Sequence, residues 1–286
     1  MKNIVELKSV SKKFGGFVAL DDVSFNVLPG SIVGLIGPNG AGKTTTLKSM
    51  LGLCDFDGGM SVLGEDPRSG RYKIMDRVCF VADVGILPRW LRVCEVLDYI
   101  QGVHPRFNRD RAEFLLAETK IIKRDKIKFL SKGMVAQLHL ALVMAIEADL
   151  LVLDEPTLGL DILFRKAFYE RLLNDFFDQE TSIIISTHQV EEIEPLLTHL
   201  LFIDQGRILL NCATNEIDKV YSEVLVLPNK LEQAFALTPI HSRDVLDKTA
   251  MIFENIPKEE LKSLGEIRVP NVADLFIAKM HPKKGR

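Results

Sequence analysis

SIVGLIGPNGAGKTTTLKSML, residues 31–51, is the stretch from which the fold is read. It opens on a short apolar run bounded by glycines, residues 31–36, as expected of a buried strand. It closes with Leu47, Met50 and Leu51 at helical spacing over residues 43–53. Between them Gly37-Pro38-Asn39-Gly40-Ala41-Gly42-Lys43-Thr44 satisfies G-x-x-x-x-G-K-[ST] in full. Glycines suit a backbone that must turn sharply and bring its N–H groups close to phosphate oxygens. Lys43 is placed to neutralise the outer phosphates of a nucleotide, and Thr44 to offer its hydroxyl to Mg²⁺. The helix beginning there presents its positive dipole end to the same anion. The strand before the loop and the helix after it separate this reading from a chance glycine turn.

Working outward, residues 4–10 and 23–27 alternate in polarity, with Pro29-Gly30 as a turn, so the chain begins with antiparallel β structure. Downstream, residues 150–153 and 182–186 read as buried strands with a helical pattern over 164–177 between them, the βαβ rhythm of a parallel sheet. The first of these strands ends in Asp154-Glu155, at the sheet edge where ligands bind. Such a pair alone is usually a solvated strand end. Beside a phosphate loop it becomes a metal and water site, with Asp154 holding Mg²⁺ through water and Glu155 polarising the attacking water. His188 follows the second buried strand, within reach of a γ-phosphate, whereas His139 reads as ordinary helix packing or surface.

Residues 86–148 change character. Helical patterns at 95–103, 109–119 and 134–146 predict an inserted helical subdomain. From about residue 216 onward shorter patterns, strand-like at 224–227 and helical at 272–280, predict a small accessory region (216–286) after a nucleotide-binding domain of residues 1–215. The fold class expected is therefore α/β: a P-loop NTPase core with a mixed, largely parallel sheet, an N-terminal antiparallel β part, an inserted helical subdomain and a C-terminal appendage.

Composition limits the partners. Of 286 residues 47% are apolar and 26% charged, enough for a sizeable core, and 36 basic against 39 acidic residues give a net charge of −3. That balance gives no bulk attraction to nucleic acid, and no nucleic-acid partner is expected. The basic run over residues 120–128 has no interleaved aromatic residues and reads as a solvated face. Asp55-Phe56-Asp57-Gly58-Gly59 reads as a turn, because the later ligands of a calcium loop are missing. Cys54, Cys79, Cys94 and Cys212 are scattered without a close pair, which argues against zinc or disulfides and for a reducing, cytoplasmic setting. The start of the chain lacks a secretory pattern, and no apolar run is long enough to span a bilayer.

Leu130-Ser131-Lys132-Gly133-Met134 makes the pattern specific. It resembles the signature of the ATP-binding cassette (ABC) transporter ATPases, in the lysine-and-methionine form common in subunits paired with export-type permeases. Pro156-Thr157-Leu158-Gly159-Leu160-Asp161 is similar to that family's stretch leading into the D-loop, and residues 183–188 to its switch-histidine strand. Phe14 occupies the place of the residue that stacks on adenine, and the likeness is collinear over roughly residues 3–215.

This resemblance implies ATP and Mg²⁺ as ligands. It adds Phe14, Thr45, Ser131, Lys132, Gly133, Met134 and Asp161 to the nucleotide-contacting residues, with Glu155 and His188 catalytic. It implies closure of each phosphate loop by the signature of a second cassette, a second copy of this chain ahead of a different one. It also implies a separate integral membrane permease that holds the chain at the inner face of the cytoplasmic membrane.

At the family's Q-loop position stands Asp83, where glutamine is usual. Its carboxylate can accept from a metal-bound water but cannot donate, so altered coupling is expected there. Trp90, the sole tryptophan, is open to two readings, permease contact or core. Two other classes stay open: a soluble ABC ATPase that remodels ribosomes or DNA, and an ATP-binding module with weak catalysis.

Overall fold

The computed structural model describes residues 2–82, 87–158, 162–176 and 181–280. Its centre is a six-stranded sheet built from β3 (Ile32–Ile36), β5 (Val78–Ala82), β6 (Leu150–Asp154), β7 (Ser182–Thr187), β8 (His199–Asp204) and β9 (Arg207–Ala213). The order is β5-β6-β7-β3-β8-β9, parallel throughout except for β9, which pairs antiparallel with β8. The expected mixed, largely parallel sheet is present.

The apolar runs in its strands have a physical cause: both faces are covered. Val33, Leu35, Leu150, Val152 and Ile184 point into one core, while Ile32, Ile36, Leu151, Leu153, Ile183 and Ile185 point into the other. The first core is closed by an antiparallel sheet of β1 (Val5–Phe14), β2 (Phe17–Val27) and β4 (Asp57–Val62), in the order β2-β1-β4. Helix α1 (Lys43–Met50) lies in the same core, with Leu47, Met50 and Leu51 fully buried as its spacing requires. The second core is covered by α3 (Val93–Val103), α4 (Arg109–Ala117), α5 (Lys132–Met144) and α6 (Ile162–Phe176).

One sequence expectation is corrected. Asp57, Gly58 and Gly59, read as a turn, form the start of β4 and pair with β1, Ser11 opposite Asp57 and Lys8 opposite Gly59. Gly58 has φ +98°, and a Cβ there would lie 2.3 Å from the Ser9 carbonyl oxygen, so glycine marks a close backbone approach at a bulge. Helix α2 (Pro67–Met75) also escaped the hydrophobic pattern, although Asp66 caps it by accepting from the Arg68 N–H and Pro67 opens it.

After β9 the chain passes through α7 (Ile217–Val220) into an antiparallel sheet of β10 (Tyr221–Val226), β11 (His241–Val245), β12 (Lys248–Glu254) and β13 (Gly265–Arg268), ordered β11-β12-β10-β13. Helices α8 (Leu231–Ala236) and α9 (Lys258–Leu261) accompany this sheet, which has its own apolar cluster around Val224, Met251, Phe253 and Leu264. The final helix α10 (Val272–Met280) returns to the main body. Leu275 joins the second core, Phe276 meets Phe202 of β8 edge-on at 5.2 Å, and the Val272 N–H donates to Glu194 Oε1 at 3.1 Å.

Glu223 on β10 is buried with both oxygens engaged: Arg243 donates to Oε1 at 3.1 Å and Arg268 to Oε2 at 2.6 Å. Arg243 also donates to Asp274 of α10 at 2.8 Å, tying sheet to helix. Glu223→Ala is expected to lower stability by about 1–3 kcal/mol, since hydrogen bonds to charged groups are lost and two cations are left without their shared anion. Thermal and urea unfolding of the purified chain measure the loss.

Candidate functional site

The phosphate loop runs from the end of β3 into α1, as a short linker between a buried strand and a buried helix demands. Gly37 has its N–H bonded to the Thr187 carbonyl at 3.3 Å, and a Cβ on it would lie 2.3 Å from the Ile203 carbonyl oxygen. Gly42 caps α1 at φ +110°, where a Cβ would meet the Ala19 carbonyl oxygen at 2.7 Å. Both positions exclude a side chain. No side chain caps α1, so the N–H groups of its first turn remain available to an anion at the positive end of the helix.

Lys43 is 5% exposed, and an ammonium so placed needs charge and acceptors around it. Its Nζ donates to the Gly37 carbonyl at 2.7 Å and the Pro38 carbonyl at 3.1 Å, and stands 3.0 Å from Glu155 Oε1. The other oxygen of Glu155 lies 2.9 Å from His188 Nδ1. The structure therefore gathers Lys43, Glu155 and His188 from three elements into one line of contacts. Asp154, beside Glu155 at the end of β6, is buried, and its Oδ1 accepts from the Ser186 hydroxyl at 2.6 Å.

An open cleft of about 270 Å³ lies over the loop, lined by Pro38, Asn39, Gly40, Gly42, Lys43, Thr44, Thr45 and Glu155, with Phe17 and Ala19 along one side. The residues fit a phosphate chain: a buried cation, free helix N–H groups and glycine backbone meet at one wall. They also fit Mg²⁺, which takes hard oxygen donors, here the exposed Thr44 hydroxyl and the Asp154 carboxylate. Among the described residues no group of three or more His, Cys, Asp or Glu is placed to hold a metal by itself, so a cation would share phosphate oxygens and water.

Phe14 and Phe17 face each other across the β1–β2 hairpin, both exposed, and Phe17 is the one that lines the cleft. Phe14 carries the Lys12 ammonium over its ring at 5.0 Å. Phe17 was not singled out from sequence, and its hairpin pairing with Phe14 was the signal that would have found it.

Ser131, Lys132, Gly133 and Met134 open α5, Ser131 as its cap with Oγ accepting from the Met134 N–H at 3.2 Å. Ser131 and Lys132 are exposed, Gly133 is buried, and none of the four lines the cleft over the phosphate loop. Asp83 and Asp161 lie outside the described residues. His139 is half-buried on α5 beside Val143 and Phe168, among packed side chains. Trp90 is 73% exposed and so is no part of the core.

Further contacts support the site and were not legible from sequence. Thr157, two residues after Glu155, shares a buried hydrogen bond of 3.1 Å with the Tyr169 hydroxyl on α6. Burial pushes that phenol's pKa up. Arg165, also on α6, donates to Gln189 and, at 2.7 Å, to Glu192, bracing the segment after His188. In the neighbouring strand β5, burial pushes the Cys79 thiol up to about 12, leaving it inert. All four cysteines are free.

A glycine loop between a parallel strand and a helix, with a buried lysine facing a strand-end carboxylate pair, defines a P-loop nucleotide-binding protein of the α/β class. Comparison with known proteins narrows this. Residues 20–158 match the ABC transporter family. The Nod factor export ATP-binding protein I of Cupriavidus metallidurans is 32% identical over 97% of this chain and 97% of its own length. Its namesake in Burkholderia orbicola is 37% identical over 71% of this chain and 68% of its own. A solved structure described as the ATP-binding subunit of an ABC transporter superposes with a TM-score of 0.67 at 27% identity, over 76% of this chain and 92% of that one.

The chain belongs to the ABC transporter ATP-binding protein family. ABC ATP-binding domains are ATPases in general, normally use Mg²⁺, dimerise and work with a membrane permease. No described helix of this chain is long and apolar enough to cross a membrane.

Because a methyl group at position 37 would collide with a carbonyl oxygen, Gly37→Ala is expected to displace the loop and weaken nucleotide binding by at least about tenfold. Titration with a fluorescent ATP analogue measures it, and circular dichroism confirms that the sheet persists.

Proposed function

We propose that this chain is the ATP-hydrolysing subunit of an export-type ABC transporter, acting as a pair of copies on a separate membrane permease. One observation carries the reading. The cleft over the phosphate loop has Lys43, the α1 N–H groups and Glu155 on one wall, while the exposed Ser131–Lys132 end of α5 lies elsewhere on the chain. A transferring phosphoryl group needs charge stabilisation on its open side as well. Two copies arranged head to tail supply it, with Ser131 offering its hydroxyl, Gly133 its N–H, and α5 its N-terminal dipole.

In this reading Glu155 orients and deprotonates the attacking water, and His188, held through Nδ1 by Glu155, contacts the γ-phosphate. Lys43 moves its charge from Glu155 to the phosphates as they enter. Thr44 and Asp154 hold Mg²⁺, which when bound neutralises the developing phosphate charge. Phe14 and Phe17 flank the adenine. Asp83 and Asp161 keep their proposed metal and nucleotide roles from the family likeness.

Residues 1–215 make up the nucleotide-binding domain, with 86–148 as its helical subdomain and 216–286 as the accessory region. Export is favoured by the two Nod factor export relatives above and by the Leu130–Met134 signature. Trp90 and Phe129 form the contact with the permease at the inner face of the membrane. Both are more than 70% exposed, and the Lys128 N–H bond to the Arg89 carbonyl, 2.9 Å, ties together the two segments that carry them.

Glu155→Gln is expected to lower Mg²⁺-dependent turnover by about 10²–10⁴-fold, the usual contribution of a general base. The same variant is expected to remain a dimer on ATP, read by light scattering on a sizing column. Undiminished turnover, or a monomer at saturating ATP both alone and with the permease present, overturns the reading. Photocrosslinking from position 90 is expected to capture a multi-spanning membrane protein. Capture of soluble proteins alone would remove the permease contact from that surface.

A further inference from the structure

We propose that Ser186 is a positioning residue that sets both carboxylates of the site through a single hydroxyl. The inference rests on the hydrolytic reading above and extends it to a residue outside the phosphate loop, the signature and the switch histidine.

Ser186 is fully buried near the end of β7, after Ile183, Ile184 and Ile185. A hydroxyl in such surroundings is costly unless bonded. Its single proton goes to Asp154 Oδ1 at 2.6 Å, and its oxygen accepts from the Glu155 N–H at 3.1 Å. Strand register makes this possible, because Asp154 on β6 lies opposite Ser186 on β7 while Leu35 of β3 lies on the other side. The strand that carries Ser186 thus runs between the strand feeding the phosphate loop and the strand ending in the carboxylates.

Two consequences follow from one oxygen atom. At Asp154, the bond fixes the carboxylate plane by holding Oδ1, so that Oδ2 is the oxygen presented to a cation. At Glu155, the N–H is shared between Ser186 Oγ and the Ser186 carbonyl, each at 3.1 Å. This shared bond holds Glu155 at φ +50°, a left-handed conformation rare for a residue with a side chain. From that backbone the Glu155 carboxylate reaches back between Lys43 and His188, 3.0 and 2.9 Å away. A space-filling serine would need neither bond. The pairing of one donor and one acceptor with adjacent residues of opposite duty marks a device that keeps metal and water in fixed relation.

The test compares Ser186→Ala, Ser186→Cys and Ser186→Thr with the native chain. Mn²⁺ binding is titrated by electron paramagnetic resonance with a non-hydrolysable ATP analogue present, alongside turnover and the thermal midpoint. Ser186→Ala and Ser186→Cys are expected to raise the Mn²⁺ dissociation constant and lower kcat by about tenfold each, while analogue affinity without metal stays within about twofold. Ser186→Thr, which keeps the hydroxyl, is expected to restore most of both. If Thr does not fold, the order of Ser over Cys and Ala decides.

A folded Ser186→Ala that binds Mn²⁺ and turns over ATP like the native chain overturns the proposal. So does a loss that tracks only the fall in thermal midpoint. A native chain with no turnover, but with Mn²⁺ affinity still ordered Ser over Cys and Ala, would instead remove the hydrolytic reading and leave Ser186 as the setter of the metal ligand.

Discussion

The contact between Lys43 and Glu155 constrains the rest of the molecule. A buried ammonium cannot be left without anionic and carbonyl partners, and here the carbonyls of Gly37 and Pro38 are local while the anion, Glu155, comes from a distant part of the chain. For them to meet, β3 and β6 must lie in one sheet with their carboxyl ends on the same side, and β7 must separate them by one strand. The parallel pairing of β6, β7 and β3 meets that requirement. In the proposed function a phosphate chain entering the cleft would compete with Glu155 for the same cation, so ligand binding and release of the carboxylate would be one electrostatic event.

The division of labour proposed for Asp154 and Glu155 rests on position rather than on residue type. Consecutive side chains at a strand end diverge, and one turns toward β7 while the other, on a left-handed backbone, turns toward the loop. Bracing from α6 reaches the same region twice, through Tyr169 to Thr157 and through Arg165 to Glu192. The stretches after Glu155 and after His188 are therefore tied to one helix.

The parts of the fold legible in sequence were those with local signatures. Residues 37–44 carried their own pattern, the buried strands announced themselves by apolar runs, and Leu47, Met50 and Leu51 lie on the buried face of α1 as their spacing indicated. Short elements with glycine or proline were harder, because β4 owes its pairing to the bulge at Gly58 and α2 to a cap rather than to periodicity. Ser186 and Phe17 were hidden for a different reason. Each gains its place only when distant strands come into register, and a serine at the end of an isoleucine run shows no partner until Asp154 lies opposite it. The cluster around Glu223 is of the same kind, since a carboxylate is expected at the surface and two arginines from separate strands bring it inside.

The way α10 seats itself has a consequence for how this chain can be dissected. Phe276 and Leu275 form part of the lining that keeps β8 dry, and the helix start is latched to Glu194, six residues past His188. Cutting the polypeptide after β9 would thus unroof Phe202 instead of freeing an independent module. Any recombination that exchanges the tail must carry along a replacement for that roof.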